Sequence, residues 1–179
     1  MSNPLGAGGS GAGMATQNLT LYDEDFTRIN AVLGKLCVDA KGRAVFLVDK
    51  NGQLIAARGD TAHIDTTSLA SLTAGNIAAT GGLAQLLGER EFSILFHEGE
   101  KDNLHISVVS GKVILVVIFD NRSSLGLVRL RVKKASEDLA QIFKDLSARK
   151  DREAGQLRAA FHAHLAEITD EDIDNLFKS

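Results

Sequence analysis

The run from Val113 to Phe119 constrains the fold more than any other part of this sequence, because all seven of its residues are apolar. A strand with one face in water alternates apolar with polar side chains, and this run does not alternate. It is also much shorter than the roughly 20 apolar residues that a membrane-spanning helix needs. We therefore predict a central strand in a sheet that is covered on both faces.

Three helical patterns predict the elements that cover this sheet. The first helix is predicted at 23–38, where apolar residues recur at three- and four-residue steps and acidic residues lie at the positive end of the helix dipole. The second is predicted to begin after the N-cap Asp65 and to end near Leu87, before Gly88. The third is predicted at 124–149.

Four further strands are predicted, at 43–49, 53–58, 92–97 and 104–109. The pairs Asn51-Gly52 and Ser110-Gly111 favour tight hairpin turns. In the strand at 104–109, His105 and Ser107 alternate with apolar residues, which predicts one wetter face. The order of elements predicts an α/β sandwich of five strands with helices on both faces.

The second predicted helix has no formal charge after Asp65. At 100° per residue its larger apolar residues gather on one side, which we predict to pack on the sheet: Leu69, Leu72, Ala79, Leu83, Leu86 and Leu87. The opposite side holds small, uncharged residues, named here the small-residue stripe: Thr67, Ala70, Ser71, Ala74, Ala78, Gly81, Gly82 and Gln85.

A stripe of this kind is typical of a helix that lies against another backbone. Each interior glycine costs a helix about 0.5–1 kcal/mol relative to alanine, so a close approach must compensate. The simplest arrangement is a two-fold dimer with the two copies of this helix side by side. The alternative is that segments 89–103 or 150–167 of the same chain cover the stripe.

Five strings carry a resemblance to a known family: FLVDKNGQLI at 46–55, IDTTSLASLTAGN at 64–76, VVIFD at 116–120, SLGLVRL at 124–130 and DEDIDNLF at 170–177. Together they resemble the roadblock/dynein light chain family, in particular its bacterial gliding and polarity members. The resemblance covers about 21–149 and the last dozen residues, and it rests on long contiguous strings.

The resemblance implies a three-layer sandwich with a five-stranded, mainly antiparallel sheet of order 2-1-5-4-3, one helix on one face and two on the other. It implies a homodimer that binds one small Ras-like GTPase, stimulates its GTP hydrolysis and remodels its active site without supplying a catalytic residue. The contact face should include Ala70, Ala74, Ala78 and Gly82. The resemblance also implies a role in bacterial polarity and motility, in the cytoplasm at a cell pole.

The sequence predicts neither a catalytic site nor a cofactor or metal site. The G-x-G-x-x-G match at 6–11 is not preceded by a strand, and the five histidines form no ligand pattern. Arg58 and Arg122 are the candidates for an arginine finger, and the alternative is that both are solvated charges. The lone Cys37 is predicted to be buried. A net charge of -3 argues against nucleic acid and anionic membranes.

The two ends of the chain differ in character. Residues 1–20 are predicted to be a flexible tail rich in Gly and Ser, 21–149 the roadblock domain and 150–167 a linker. Residues 168–179 are predicted to form a short helix capped by Thr169, whose apolar edge of Ile173, Leu176 and Phe177 docks into a partner. The alternatives are docking on its own domain or a frayed tail.

Two functions from different classes are compatible with the sequence. The first is a homodimeric activator of a small Ras-like GTPase, which contains no active site of its own. The second is a roadblock scaffold that binds a GTPase or an assembly partner without changing its turnover. A GTP hydrolysis assay discriminates between them.

Overall fold

The computed structural model of the protein describes residues 21–167. These residues form the helices α1 (Asp23–Asp39), α2 (Thr66–Leu86) and α3 (Leu125–Glu167) and the strands β1 (Ala44–Asp49), β2 (Leu54–Gly59), β3 (Ile94–His97), β4 (Asn103–Val109) and β5 (Val113–Phe119). The predicted order of elements is confirmed.

The five strands form one sheet of order β2-β1-β5-β4-β3, in which every neighbouring pair is antiparallel. Strand β5 lies at the centre between β1 and β4, and all its residues except the half-buried Ile118 are buried. The continuous apolar run is therefore explained, because a central strand with both faces covered favours apolar side chains at every position.

Helix α2 covers one face of the sheet. Ala70 of α2 packs in a buried cluster with strand residues that share this face: Ala44, Phe46, Val48, Ile106, Ile114 and Val116. The intervening strand residues, among them Val45, Leu47, Leu115 and Val117, point to the other face and are fully buried.

Helices α1 and α3 cover that other face. A groove is lined jointly by residues of α1 and of the first part of α3, and the Ser123 hydroxyl, just before α3, donates a hydrogen bond to the Ala40 carbonyl at 2.5 Å. Both helices bury an apolar stripe, formed by Ile29, Leu33 and Leu36 in α1 and by Val128, Val132, Ala135 and Leu139 in α3. The expected distribution of one helix on one face and two on the other is confirmed.

The hairpin turns follow the sequence prediction. Gly52 has a φ of 85°, and Ser110 and Gly111 have φ of 52° and 62°, which is the left-handed region that these turns require. The Asp49 carboxylate accepts hydrogen bonds from the backbone N–H groups of Asn51 and Gln53, both at 2.9 Å. These contacts fix the turn between β1 and β2, which lies against α2.

The prediction that His105 and Ser107 lie on a wetter face is wrong. His105 is 1% exposed and Ser107 is 5% exposed, because the layer of α1 and α3 covers this side of β4. The two ring nitrogens of His105 and the hydroxyl of Ser107 have no hydrogen-bond partner among the described residues. The alternation in β4 therefore correctly indicates that His105 and Ser107 share one face of the sheet. It does not indicate that this face is exposed to water.

Helix α3 is longer than the predicted 124–149. It continues to Glu167 through the segment predicted as a linker. The chain divides between Leu139 and Ala140 into two compact units, and α3 contributes residues to both. Residues 151–166 are all exposed helix.

A candidate protein-interaction surface on helix α2

The two ends of α2 are fixed by local hydrogen bonds. The Asp65 carboxylate accepts from the Ser68 backbone N–H at 3.1 Å and from the Ser68 hydroxyl at 2.6 Å. These hydrogen bonds, the one from the hydroxyl foremost, lower the pKa of Asp65 and keep it ionised at the positive end of the helix. At the other end Gly88 takes a φ of 75°, which stops the helix after Leu86.

The side of α2 that faces the sheet is the side with the smaller residues. Ala70 and Ala84 are fully buried and Thr73 is 5% exposed. The β1–β2 turn approaches so closely that a Cβ atom built on Gly52 would lie 3.0 Å from the Ser71 Cα atom. Large side chains on this side of α2 would hold the helix away from the turn. Small side chains are therefore found where the helix and the turn come close.

The prediction that the large apolar residues of α2 pack on the sheet is therefore wrong for most of them. Leu72, Leu83 and Leu86 are 72%, 58% and 83% exposed, and Leu87, just beyond the helix, is 72% exposed. Ala79 is exposed as well, and only Leu69 of the predicted set packs against the core. Helix α2 therefore buries Ala70 and Ala84 and leaves Leu72, Leu83 and Leu86 exposed.

This arrangement creates an exposed surface, which we name the outer face of α2. It is composed of Thr67, Ser68, Ser71, Leu72, Gly75, Ala78, Ala79, Gly82, Leu83, Gln85 and Leu86, all of them exposed. None of these residues carries a formal charge. A helix surface in water normally carries lysine, glutamate and arginine, so an exposed, uncharged face with three leucines is a candidate site of protein–protein contact.

The predicted partner-binding residues of α2 fall into three groups. Thr67, Ser71, Ala78 and Gly82 are exposed. Ala74 and Gly81 are half-buried. Ala70 is fully buried against the chain's own sheet, so its assignment to a partner contact is corrected: it belongs to the core.

A cleft of about 460 Å³ lies beside the small-residue stripe. Its lining combines stripe residues with the ends of β1, β4 and β5 and the segment after α2: Lys50, Ala74, Ile77, Ala78, Gly81, Gly82, Gln85, Arg90, Glu91, Phe92, Val108 and Ile114. The charged residues of this lining are Lys50, Arg90 and Glu91, two basic and one acidic. Sequence periodicity alone did not point to Lys50 and Arg90, because both lie outside helices and strands.

The remaining predicted contact residues, Ile173, Leu176 and Phe177, lie outside the described residues. The arginine-finger candidates are described. Arg122 is 66% exposed and forms a two-pronged ion pair with Asp120, with Nε–Oδ1 and Nη2–Oδ2 distances of 2.9 Å and 2.8 Å. The exposed Arg58 donates from Nη1 to the Ala57 carbonyl at 2.9 Å.

Within residues 21–167, no cluster of three or more His, Cys, Asp or Glu residues could hold a metal ion. None of the helices in that range combines the length and apolar character needed to span a bilayer. Partial burial raises the pKa of the Cys37 thiol, which lowers its thiolate population at neutral pH.

Comparison with known proteins gives a consistent family. Residues 29–119 match the model of the Roadblock/LC7 domain. Myxococcus xanthus MglB is 64% identical over 72% of this chain and 96% of its own, with a TM-score of 0.68. The gliding protein MglB of Thermus thermophilus is 35% identical over 72% of this chain and 97% of its own, with a TM-score of 0.67.

A third solved relative, an MglB with a tetrameric arrangement, is 33% identical over 72% of this chain and 97% of its own, with a TM-score of 0.69. No curated protein matches the chain in sequence.

Proposed function

We propose, from the premise that this chain belongs to the Roadblock/LC7 family and resembles its MglB members, that it acts as a homodimeric regulator of a small Ras-like GTPase of the MglA type. In this proposal the dimer accelerates GTP hydrolysis by the partner and supplies no catalytic residue. Its setting is the control of bacterial polarity and motility, in the cytoplasm at a cell pole.

The observation that carries the proposal is the outer face of α2, which is exposed and uncharged over more than five helical turns. Full burial of a leucine is worth about 1.5–3 kcal/mol, so covering Leu72, Leu83 and Leu86 provides a strong drive for association. A second copy of α2 is the simplest cover, because a two-fold axis places the same leucines of both copies against each other.

The GTPase is assigned to the cleft beside the small-residue stripe. Ala74, Ala78 and Gly82 leave room for a partner backbone, and Lys50 and Arg90 offer positive charge at its rim. A GTPase that carries bound nucleotide and acidic switch residues suits such a rim. The leucines and the cleft therefore serve two different contacts, one between the copies and one with the GTPase.

The arginine-finger candidates lie far from this cleft. Ile114, at the start of β5, lines the cleft, whereas Arg122 follows the end of the same strand. Ile114 and Phe119 are five residue steps apart along the strand, which corresponds to about 17 Å. Arg58 pairs in register with Val45 at the start of β1, while Lys50 follows its end. Stimulation without an inserted arginine must then arise from rearrangement of the GTPase's own catalytic groups.

The test is GTP turnover by an MglA-type GTPase with and without this protein under single-turnover conditions. An increase that saturates at two chains per GTPase supports the proposal. Binding without any change in turnover rejects the activator and leaves the scaffold. Absence of both binding and stimulation, with a correctly folded dimer, rejects a GTPase partner of this type altogether.

A further inference from the structure

The last described part of α3 carries an exposed apolar stripe that the proposed function does not use. Leu157, Phe161 and Leu165 are 73%, 61% and 47% exposed. Their spacing of four residues places them along one side of the helix, whereas Ala159 and Ala163 lie on the opposite side. Residues 151–166 are all exposed, so the stripe is open to another molecule.

We infer that this stripe pairs with the same stripe of a second copy of the chain, as a short parallel two-stranded coiled coil. Ala154 and Phe161 occupy the a positions of a heptad, and Leu157 and His164 occupy the d positions. Leu165 follows at the flanking e position and widens the apolar seam. Alternation of small and large residues at a lets two helices approach closely at Ala154 and fill the space at Phe161.

The charges beside the seam select the parallel orientation. Glu153 occupies a g position and Arg158 the following e position. In a parallel pair, Glu153 of each copy faces Arg158 of the other, which gives two attractive contacts. In an antiparallel pair e positions face e positions, and the two Arg158 side chains approach each other. Like charges at these positions disfavour that orientation.

The same charges argue against a membrane surface as the occupant. A helix that lies on an anionic bilayer carries lysine and arginine along its polar face. Here the polar residues that precede the seam alternate in sign: Lys150, Asp151, Arg152 and Glu153. This inference concerns a different helix from the GTPase-binding surface, so its failure would leave the proposed function untouched.

The first experiment is the mass of the full chain in solution by light scattering. In a background of Leu72→Glu/Leu86→Glu, which removes the contact proposed for α2, the double substitution Leu157→Glu/Phe161→Glu is expected to halve the mass at concentrations where the background protein is fully associated. The matched control Ala159→Glu/Ala163→Glu adds the same charges on the opposite side and is expected to keep the mass. Equal masses for all three proteins, or halving in both variants, would overturn the inference.

The second experiment tests orientation by disulfide formation. In a background of Cys37→Ser, the substitution Ala154→Cys places a thiol at an a position, where the two Cα atoms of a parallel pair lie within the roughly 4.4–6.8 Å that a disulfide requires. Mild oxidation is expected to crosslink this variant at least tenfold faster than Ala159→Cys. Equal rates, or no crosslink in either variant, contradict a parallel seam. Circular dichroism is expected to show unchanged helix content in all variants, and unfolding would place the stripe in the fold and reject it as a docking surface.

Discussion

Gly52 of the β1–β2 turn lies against Ser71 of α2, with 3.0 Å between the position that a Gly52 Cβ would take and the Ser71 Cα atom. The same position is 3.5 Å from the Ala74 Cβ atom and 3.6 Å from the Ala70 carbonyl oxygen. A side chain at position 52 would therefore push against α2, and glycine permits the close approach. Together with the packing of Ala70 in the sheet cluster, this contact keeps the Ala70/Ser71/Ala74 side of α2 toward the sheet and the turn.

Replacement of Gly52 by alanine is expected to lower the free energy of unfolding by about 2–3 kcal/mol, because the φ of 85° and the contact with Ser71 both oppose a Cβ atom. Gly111→Ala is the matched control: its φ of 62° is also left-handed, but a Cβ there meets nothing within 4 Å. That variant is expected to lose about 1 kcal/mol. Urea denaturation measures both, and equal losses would show that the approach of the turn to α2 is not tight.

The faces of α2 show why the sequence could predict the helix and not its orientation. The ends of α2 and the β1–β2 turn depend on local residue types, namely Asp65, Gly88 and Gly52. Such features can be predicted directly from the sequence. Both sides of α2 are uncharged, so amphipathicity does not distinguish them, and size then suggests that leucines go inward. The orientation instead depends on the close contact with the β1–β2 turn, which lies about 20 residues away in sequence.

The interaction surface on α2 remains a prediction, and the structure changes which residues can belong to it. Four predicted contact residues, Thr67, Ser71, Ala78 and Gly82, are exposed, while Ala70 is in the core. The leucines and the cleft residues Lys50 and Arg90 were not predicted as contacts. Loop residues have no periodicity, so only the tertiary structure brings Lys50 and Arg90 to the small-residue stripe.

Exposed and buried residues of the small-residue stripe are expected to give different mutant phenotypes. Ala78→Arg and Gly82→Arg are expected to abolish GTPase binding and keep the fold, since both positions are exposed. Ala70→Arg is expected to unfold the protein, because an unpaired charge would enter a fully buried cluster. Calorimetric titration with the GTPase and thermal melting separate the two effects. Normal binding by both Ala78→Arg and Gly82→Arg would exclude the cleft as the contact site.

The exposed leucines of α2 are expected to form the contact between the two copies of the dimer. In a background of Leu157→Glu/Phe161→Glu, which removes the pairing inferred for the end of α3, Leu72→Glu/Leu86→Glu places charges on the outer face of α2 and is expected to halve the mass measured by light scattering at micromolar concentration. Leu130→Glu is the control, because Leu130 is 62% exposed on α3, outside the outer face. If the α2 variant keeps its mass, the outer face does not join two copies and the homodimer needs another interface.

Because His105 is buried, we expect the protein to lose stability in mild acid. Burial lowers the pKa of His105, and the positive charge of Arg129 lowers it further. In the unfolded chain a histidine titrates near pH 6.5, so as pH falls below about 6.5 the unfolded state takes up a proton that the folded state does not. The free energy of unfolding should then fall by up to about 1.4 kcal/mol per pH unit until the lowered pKa is reached.

The measurement is the urea midpoint of the wild type and of His105→Leu at pH 7.5 and pH 5.5. The leucine variant should lose the part of the pH dependence that His105 contributes, and the exposed His63→Leu should retain it. An identical slope in wild type and His105→Leu would mean that the imidazole acquires a partner, such as a water molecule, when it is protonated.

Substitution of Arg90 tests whether the protein stimulates GTP hydrolysis without inserting an arginine into the GTPase. Arg90 is the suitable residue because it is the arginine that lines the cleft. If Arg90 only contributes charge to binding, Arg90→Ala should raise the concentration needed for half-maximal stimulation while maximal GTP turnover changes by less than about threefold. An arginine that enters the GTPase active site contributes about 10³–10⁵ in rate, and its loss could not be overcome by a higher concentration. Arg122→Ala serves as the control for a distant arginine and should change neither quantity. A collapse of maximal turnover in Arg90→Ala alone would replace rearrangement of the partner with an arginine finger from the segment after α2.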